Sequence, residues 1–447
     1  MFAAPRFIAI DDNALHLQAI VKTLQGLGTP CFGIHYDVST ELHAKHFLGV
    51  RCLFMDLHLT TGIASTDEKT HYGIISGILD ANISPTGGPF ILIVWTEHAQ
   101  LCAGLQDYLD THLVGDQAYA RPLAVLGLPK ASFINAADGS ALDPGKLEQE
   151  VRKLVESIPQ LAALLDWETD VLGAAGSTLA SVLSLVPTDK RTNQLYAAEL
   201  DVILSRLACE AVGKMHVGTD PRGAIAKSLS PILADRILNQ SAEGTAAFWP
   251  LAISKHGNNP AAKASPAEAG LINRMLHLAL PSIEKALPTD RGAVANWPHD
   301  WPAGTDIASL GLTGDQIMGG EFKIEKQDRP SCKPFLVRVG AACDYAQSRP
   351  GPITYLLAVA IPQSAKFKTD SDGIQLRMSE AIWKSPVFVL PESASPFHVY
   401  VHIRMSISVL PAAAKDWTVV FRFREQLLMQ LIAAASDYSS RPGIVQL

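Results

Sequence analysis

Four apolar runs near the amino terminus each end on a residue that can handle a metal ion or a phosphate. Ile8-Ala9-Ile10 leads into Asp11 and Asp12, Leu53-Phe54-Met55 into Asp56, Val94-Trp95 into Thr96, and Leu128-Pro129 into Lys130. Carboxylates brought within about 4 Å repel by several kcal/mol per pair at an effective dielectric near 20, unless a cation sits among them. Magnesium suits such a set, because it prefers oxygen ligands, keeps some of its waters and accepts phosphate oxygens. With a cation in place, the Asp56 carboxylate can attack a phosphoryl group and form an acyl phosphate. Lys130 would neutralise charge on the transferred oxygens, and the Thr96 hydroxyl would donate a hydrogen bond to one of them. Movement of Thr96 toward that phosphate would shift the helix behind its strand and create a two-state output surface.

These residues converge only if the runs are neighbouring parallel strands whose carboxyl ends face one crevice. The pattern fits. Arg6–Ile10, Cys31–His35, Arg51–Met55, Phe90–Trp95 and Leu123–Leu128 read as strands, alternating with helical spacing over Asn13–Leu27, Thr40–Leu48, Tyr72–Leu79 and His98–Leu113. Gly28 follows the first helix as a stop. Five strands with intervening helices predict an α/β flavodoxin-like (βα)5 domain over 1–145.

From about Lys146 the strand pattern gives way to helices over Leu147–Leu165, Val171–Leu185, Leu195–Val212 and Ala224–Leu238, punctuated by Pro159, Pro187 and Pro221. A Gly-, Asn-, Pro- and Ala-rich linker between His256 and Ala269 precedes another helix, Ala269–Ala286. An all-helical middle domain is expected over 146–300. After Trp297–Trp301 come short alternating runs, Phe322–Glu325, Phe335–Val339, Thr354–Ile361, Val387–Leu390, Val399–Ser408 and Trp417–Phe423, and then a helix, Glu425–Ala435. They predict a β-rich carboxyl-terminal domain with a terminal helix over 301–447.

A chain of 447 residues is long for one core, which agrees with two or three domains. Its net charge of -7 lacks the basic excess that phosphate-backbone binding needs, so no specific nucleic-acid partner is expected. No run approaches the roughly 20 apolar residues that span a bilayer, and acidic residues stand where a signal peptide would continue its apolar stretch. The expectation is a cytoplasmic protein with no membrane partner. The six cysteines, scattered without a CxxC pair, suggest neither a disulfide framework nor a structural zinc site.

Ile8-Ala9-Ile10-Asp11-Asp12-Asn13, Leu53-Phe54-Met55-Asp56, Val94-Trp95-Thr96 and Leu128-Pro129-Lys130 resemble the four signature sites of response-regulator receiver domains. The resemblance implies magnesium held by Asp12, Asp56 and the carbonyl of His58, with Asp11 assisting, and phosphotransfer to Asp56 from a sensor histidine kinase. The chain departs from the pattern in three places. The proline that commonly follows the acceptor loop is missing, Glu97 replaces a small residue after Thr96, and Ala131 replaces the proline common after the lysine. The spacings from Asp56 to Thr96 and from Thr96 to Lys130 are also longer than in compact receivers. Leu165-Asp166-Trp167-Glu168, Gly319-Gly320-Glu321-Phe322, Ala342-Cys343-Asp344-Tyr345-Ala346-Gln347 and Ser440-Arg441-Pro442-Gly443 resemble a divergent response-receiver family associated with bacterial conflict and phage defence. An effector protein and a second copy of the chain, in a homodimer, are further partners in this reading.

Rival readings stay open beside it. The receiver could be degenerate, never phosphorylated and used for protein interaction, or it could gate a catalytic carboxyl-terminal domain. A phosphatase with Asp56 as nucleophile expects a second acid two residues on, where His58 stands. A Cys343 nucleophile would need His398 or His402 as its base. A buried cysteine with Asp344 capping a turn is the simpler expectation. His216, Asp220 and His256 read as loop residues, and Arg404 and Arg422 as solvated or paired edge charges. No nuclease, protease, nucleotide-binding or helix-turn-helix signature occurs after Lys146, so a regulatory protein is expected rather than a turnover enzyme.

Overall fold

Short, predominantly apolar runs form five parallel strands in the computed structural model: β1 (Phe7–Asp11), β2 (Cys31–His35), β3 (Cys52–Met55), β4 (Ile91–Thr96) and β5 (Val125–Pro129), in the order β2-β1-β3-β4-β5. That order, with helices α1 (Ala14–Gly26), α2 (Ala44–Phe47), α3 (Glu68–Asn82) and α4 (Cys102–His112) between the strands, is compatible with a flavodoxin-like fold. The structure describes residues 5–26, 28–60, 67–97, 99–135, 140, 142–239, 247–257, 259–297, 306–307, 310–346, 350–393 and 395–440. Leu27, His98, Trp301, Gln347 and Arg441 to Gly443, all named above, lie outside them.

Successive residues of a strand point to opposite faces, and here both faces are covered. Ile8 and Ile10 of β1 pack with Leu53, Met55, Leu92 and Val94 against Ile75 and Leu79 of α3 and Leu105 and Leu109 of α4. Ala9, Phe54, Ile93 and Trp95 face the other way, against Leu17, Ile20 and Leu24 of α1 and Leu147 and Val151 of α5 (Pro144–Glu156). Two-sided burial explains why these strands read as continuous apolar runs rather than alternating ones.

The helices α6 (Pro159–Ser184), α7 (Tyr196–Val212), α8 (Pro221–Leu238), α9 (Phe248–Ala252) and α10 (Pro266–His277) follow. The helix expected over Leu147–Leu165 breaks before Pro159: its first part belongs to α5, and its end runs on into the helix expected over Val171–Leu185 as α6, because no glycine or proline interrupts 165–171. The helix expected over Ala269–Ala286 stops at His277, and Leu278–Ala279 becomes a strand, β6. Pro281 explains the break, since it has no N–H and its ring clashes with a preceding helical turn.

Strands β6, β7 (Ala293–Asn296), β10 (Lys333–Val339), β11 (Ile353–Pro362), β12 (Ile382–Phe388), β13 (Phe397–Val409) and β14 (Val419–Phe423) form an antiparallel sheet ordered β12-β13-β11-β10-β7-β14-β6. The small hairpin β8 (Asp306–Ile307) and β9 (Leu312–Thr313) stands apart from it. Helix α11 (Ala342–Ala346) follows β10, α12 (Pro411–Ala414) precedes β14, and α13 (Glu425–Ser439) ends the described chain, placing Leu427, Leu428 and Leu431 on one face of the sheet. Phe322–Glu325, expected as a strand, is not one. A π-helical turn, Gln316–Glu321, runs into it, and Phe322 and Ile324 are buried anchors with a single bridge from Ile324 to Phe367.

The chain divides into two compact units, 1–177 with 235–254, and 178–234 with 255–447. The helices expected as one middle domain are shared between them, and β6 and β7 of the antiparallel sheet precede residue 301. Among the described residues no helix is long and apolar enough to cross a membrane.

Candidate functional site

Strand register brings the predicted residues together. Ile10 of β1 pairs with Met55 of β3, so Asp11, the last residue of β1, and Asp56, the first residue past β3, stand side by side. Thr96 pairs with Pro129, so Lys130 emerges just past Thr96. The turn after β1 is set locally. Asp11 Oδ1 accepts the Asn13 backbone N–H at 2.8 Å, and Asn13 Oδ1 accepts those of Leu15 and His16 at 2.9 and 3.3 Å, which starts α1. The His35 ring meets the Asp12 carbonyl at 2.8 Å.

The Lys130 ammonium bridges two of the acids, 2.6 Å from Asp56 Oδ2 and 2.9 Å from Asp11 Oδ2. Asp11, Asp56, Thr96 and Lys130 are all buried, while Asp12 is half-buried. Asp12, His16, Asp56, His58, Thr96, Glu97 and Lys130 line an open pocket of about 580 Å³.

Burial raises the Asp11 carboxyl to about 6, since Lys130, which favours the charged form, is offset in part by Asp56. Burial and the neighbouring Asp56 also raise Asp12. Burial works to lower Lys130, but the Asp56 and Asp11 charges outweigh it and hold the amine above its ordinary value. Burial and then Lys130 push His16 down.

One ammonium thus faces three carboxylates. Carboxylate oxygens of Asp11, Asp12 and Asp56 lie within 4.8 Å of one another, and among the described residues this is the one group of His, Cys, Asp or Glu side chains placed to share an ion. The donors are all oxygen and carry more negative charge than Lys130 supplies, which fits a hard cation. The chain matches no protein-family model, no curated protein and no solved structure.

His16 was not singled out from the sequence, yet its Nδ1 stands 3.4 Å from Lys130 Nζ. The signal was its place in the first turn of the helix that follows Asp12, because helical side chains lean back toward the helix start. Glu97 puts a further carboxylate on the rim, where a small residue was expected.

The residues suspected elsewhere do not assemble into a second catalytic set. Cys343 is exposed, with Asp344 Oδ1 at 3.9 Å, and the pocket it lines has no histidine among its lining residues. His402 pairs with Glu321 at 3.0 Å, and the His398 ring meets the Ser385 carbonyl at 2.9 Å. Asp220 accepts the Gly223 N–H at 2.8 Å, and Arg422 faces Glu284 at 3.6 Å.

Proposed function

We propose that this chain is a receiver-type signalling protein in which Asp56 accepts a phosphoryl group from a sensor histidine kinase. The observation that carries this reading is the Lys130 ammonium, held between Asp56 and Asp11 at an open pocket that Asp12 and Thr96 also line.

An Asp56 oxygen attacks phosphorus as the P–N bond to the donor imidazole breaks. The electron pair returns to the ring nitrogen, and an acyl phosphate forms on Asp56. Lys130 is placed to follow the charge from the carboxylate onto the phosphoryl oxygens, and the Thr96 hydroxyl to donate to one of them. Magnesium held by Asp12, Asp56 and the His58 carbonyl, with Asp11 assisting, would neutralise the remaining phosphoryl charge. Displacement of Thr96 toward the phosphate would shift α4 and carry the signal, in the cytoplasm, to the helical and β-rich parts of the chain and to an effector protein, with phage defence as the setting.

Intact mass after incubation with magnesium and acetyl phosphate tests this. The wild type should gain one phosphoryl group and Asp56→Asn none. A wild type that gains nothing would leave a receiver-like interaction module without phosphotransfer, and a variant that gains as much would place the phosphoryl group on a residue other than Asp56.

A further inference from the structure

The second compact unit contains an open pocket of about 680 Å³ whose charged lining is mainly cationic, in a chain of net charge -7. Lys227 of α8, Lys285, Arg291 and Arg422 of β14 line it beside Cys343 and Tyr345 of α11. Two carboxylates share the pocket, and both are already engaged. Asp290 accepts the Tyr345 hydroxyl at 2.9 Å and the Leu287 N–H at 2.7 Å. Glu425 receives Arg291 Nη1 on both oxygens at 2.5 Å. Neither Lys227 nor Lys285 has an ion-pair partner among the described residues, and the Lys227 ammonium lies over the Tyr345 ring, 5.7 Å from its centre.

Arg338 of β10, only 7% exposed, is not itself one of the lining residues but lies close to Arg291 and Tyr345, which are. Its guanidinium forms no ion pair among the described residues, and its Nε is enclosed with no hydrogen-bond partner. It presses against the chain at Gly340, where a β-carbon would lie 2.6 Å from Arg338 Nη1, and the Gly340 carbonyl accepts Arg291 Nε at 3.0 Å. The charged and titratable groups around it are Tyr355 first, then Arg291 and Tyr345 of the pocket, and Asp344. A buried cation without an ion pair is costly. A fork of guanidinium donors together with two unpaired ammoniums is suited to phosphate oxygens.

We infer that this pocket binds a small phosphate-bearing anion of two or more negative charges, of the pyrophosphate or nucleoside diphosphate class, through Arg338, Lys227 and Lys285. Three unpaired cations call for more than one negative charge, and a monocarboxylate would leave two of them uncompensated. The volume lies within the range of small-molecule sites. The inference does not depend on phosphotransfer at Asp56.

Cys343 lines the pocket and is exposed, so its alkylation reports occupancy. The experiment follows iodoacetamide modification of the Cys343 peptide in the full chain, with inorganic pyrophosphate or with citrate at matched ionic strength. Pyrophosphate near ten times its Kd should slow the reaction about tenfold, since only the unliganded fraction reacts, and citrate should leave the rate unchanged. Lys285→Gln and Lys227→Gln, both at exposed positions, should fold normally and lose the protection. Arg338→Met should lose it too, while melting at a higher temperature than the unliganded wild type, because an unpaired buried charge has been removed. No protection at millimolar pyrophosphate, equal protection by citrate, or protection retained in the two lysine variants would each overturn the inference.

Discussion

The Lys130 ammonium stands 2.6 Å from Asp56 Oδ2, with both side chains at most one-tenth exposed. A charge pair this enclosed is strongly interdependent, since removing one partner strands the other in a poorly solvated place. Lys130→Met should therefore lower unfolding free energy by about 3 kcal/mol, read by urea denaturation. Part of the loss should return on adding magnesium, because a divalent cation can replace the missing positive charge between Asp11 and Asp56. A loss below about 1 kcal/mol, the level of an exposed pair, would show that solvent screens the contact.

The wild type should itself be stabilised by magnesium. An ion that binds only the folded state adds about 1.4 kcal/mol at roughly ten times its Kd. Thermal melting with increasing magnesium chloride, with sodium chloride balancing ionic strength, measures this. Asp12→Ala should abolish the response, since it removes the acid that lines the pocket without being tied to Lys130. A variant that responds as the wild type does would place the ion elsewhere.

Thr96 ends β4, is buried, and lines the pocket beside Asp56. If its hydroxyl donates to the phosphoryl group, Thr96→Val should slow acetyl-phosphate labelling of Asp56 about ten- to hundredfold, the worth of one hydrogen bond to a charged acceptor. Thr96→Ser, which keeps the hydroxyl, should stay close to wild type. Equal slowing in both variants would assign the effect to packing.

The parallel sheet was legible because two-sided burial writes each strand as an uninterrupted apolar run, and because strand ends are where ligands bind in such sheets. Asp11, Asp56, Thr96 and Lys130 needed nothing beyond that. The antiparallel half was harder to read. Phe322 and Ile324 alternate as strand residues do and are both buried, yet the π-helical turn through Gly319 and Gly320 leaves them anchoring a loop. The strand Leu278–Ala279 is two residues long and continues the apolar spacing of α10, so only Pro281 betrayed the change. Arg338 could not be recognised at all from sequence, because an arginine among strand residues reads as an edge charge until its burial is known.

Glu168 explains one short motif in structural terms. It receives Arg51 Nε and Nη2 at 3.1 and 3.2 Å and also pairs with Arg6, so α6 is tied to residues just before β1 and β3. In the same motif Asp166 accepts the Trp249 indole N–H at 2.8 Å. Glu168→Ala leaves two partly buried guanidinium groups without this acceptor and should cost about 1–3 kcal/mol in urea denaturation. Glu168→Gln, which retains one acceptor oxygen, should cost less. A neutral outcome for the alanine variant would mean that water replaces the carboxylate fully.

His402 should make stability depend on mild acidification. The ring is fully buried, its Nε2 lies 3.0 Å from Glu321, and its Nδ1 is enclosed without a partner. Burial lowers its pKa below the ordinary histidine value, although Glu321 pulls the other way. The unfolded chain therefore binds this proton more readily than the folded one, and stability from this residue is full above the unfolded value of about 6.5 and is lost as pH falls through the lower folded value. The geometry gives the same sign, because protonation adds an N–H at Nδ1 where no acceptor waits. Melting temperature should fall between about pH 7 and 5, and the fall should be shallower in His402→Gln, which can still donate to Glu321 but does not titrate. Equal slopes in the two proteins would assign the acid sensitivity to other groups.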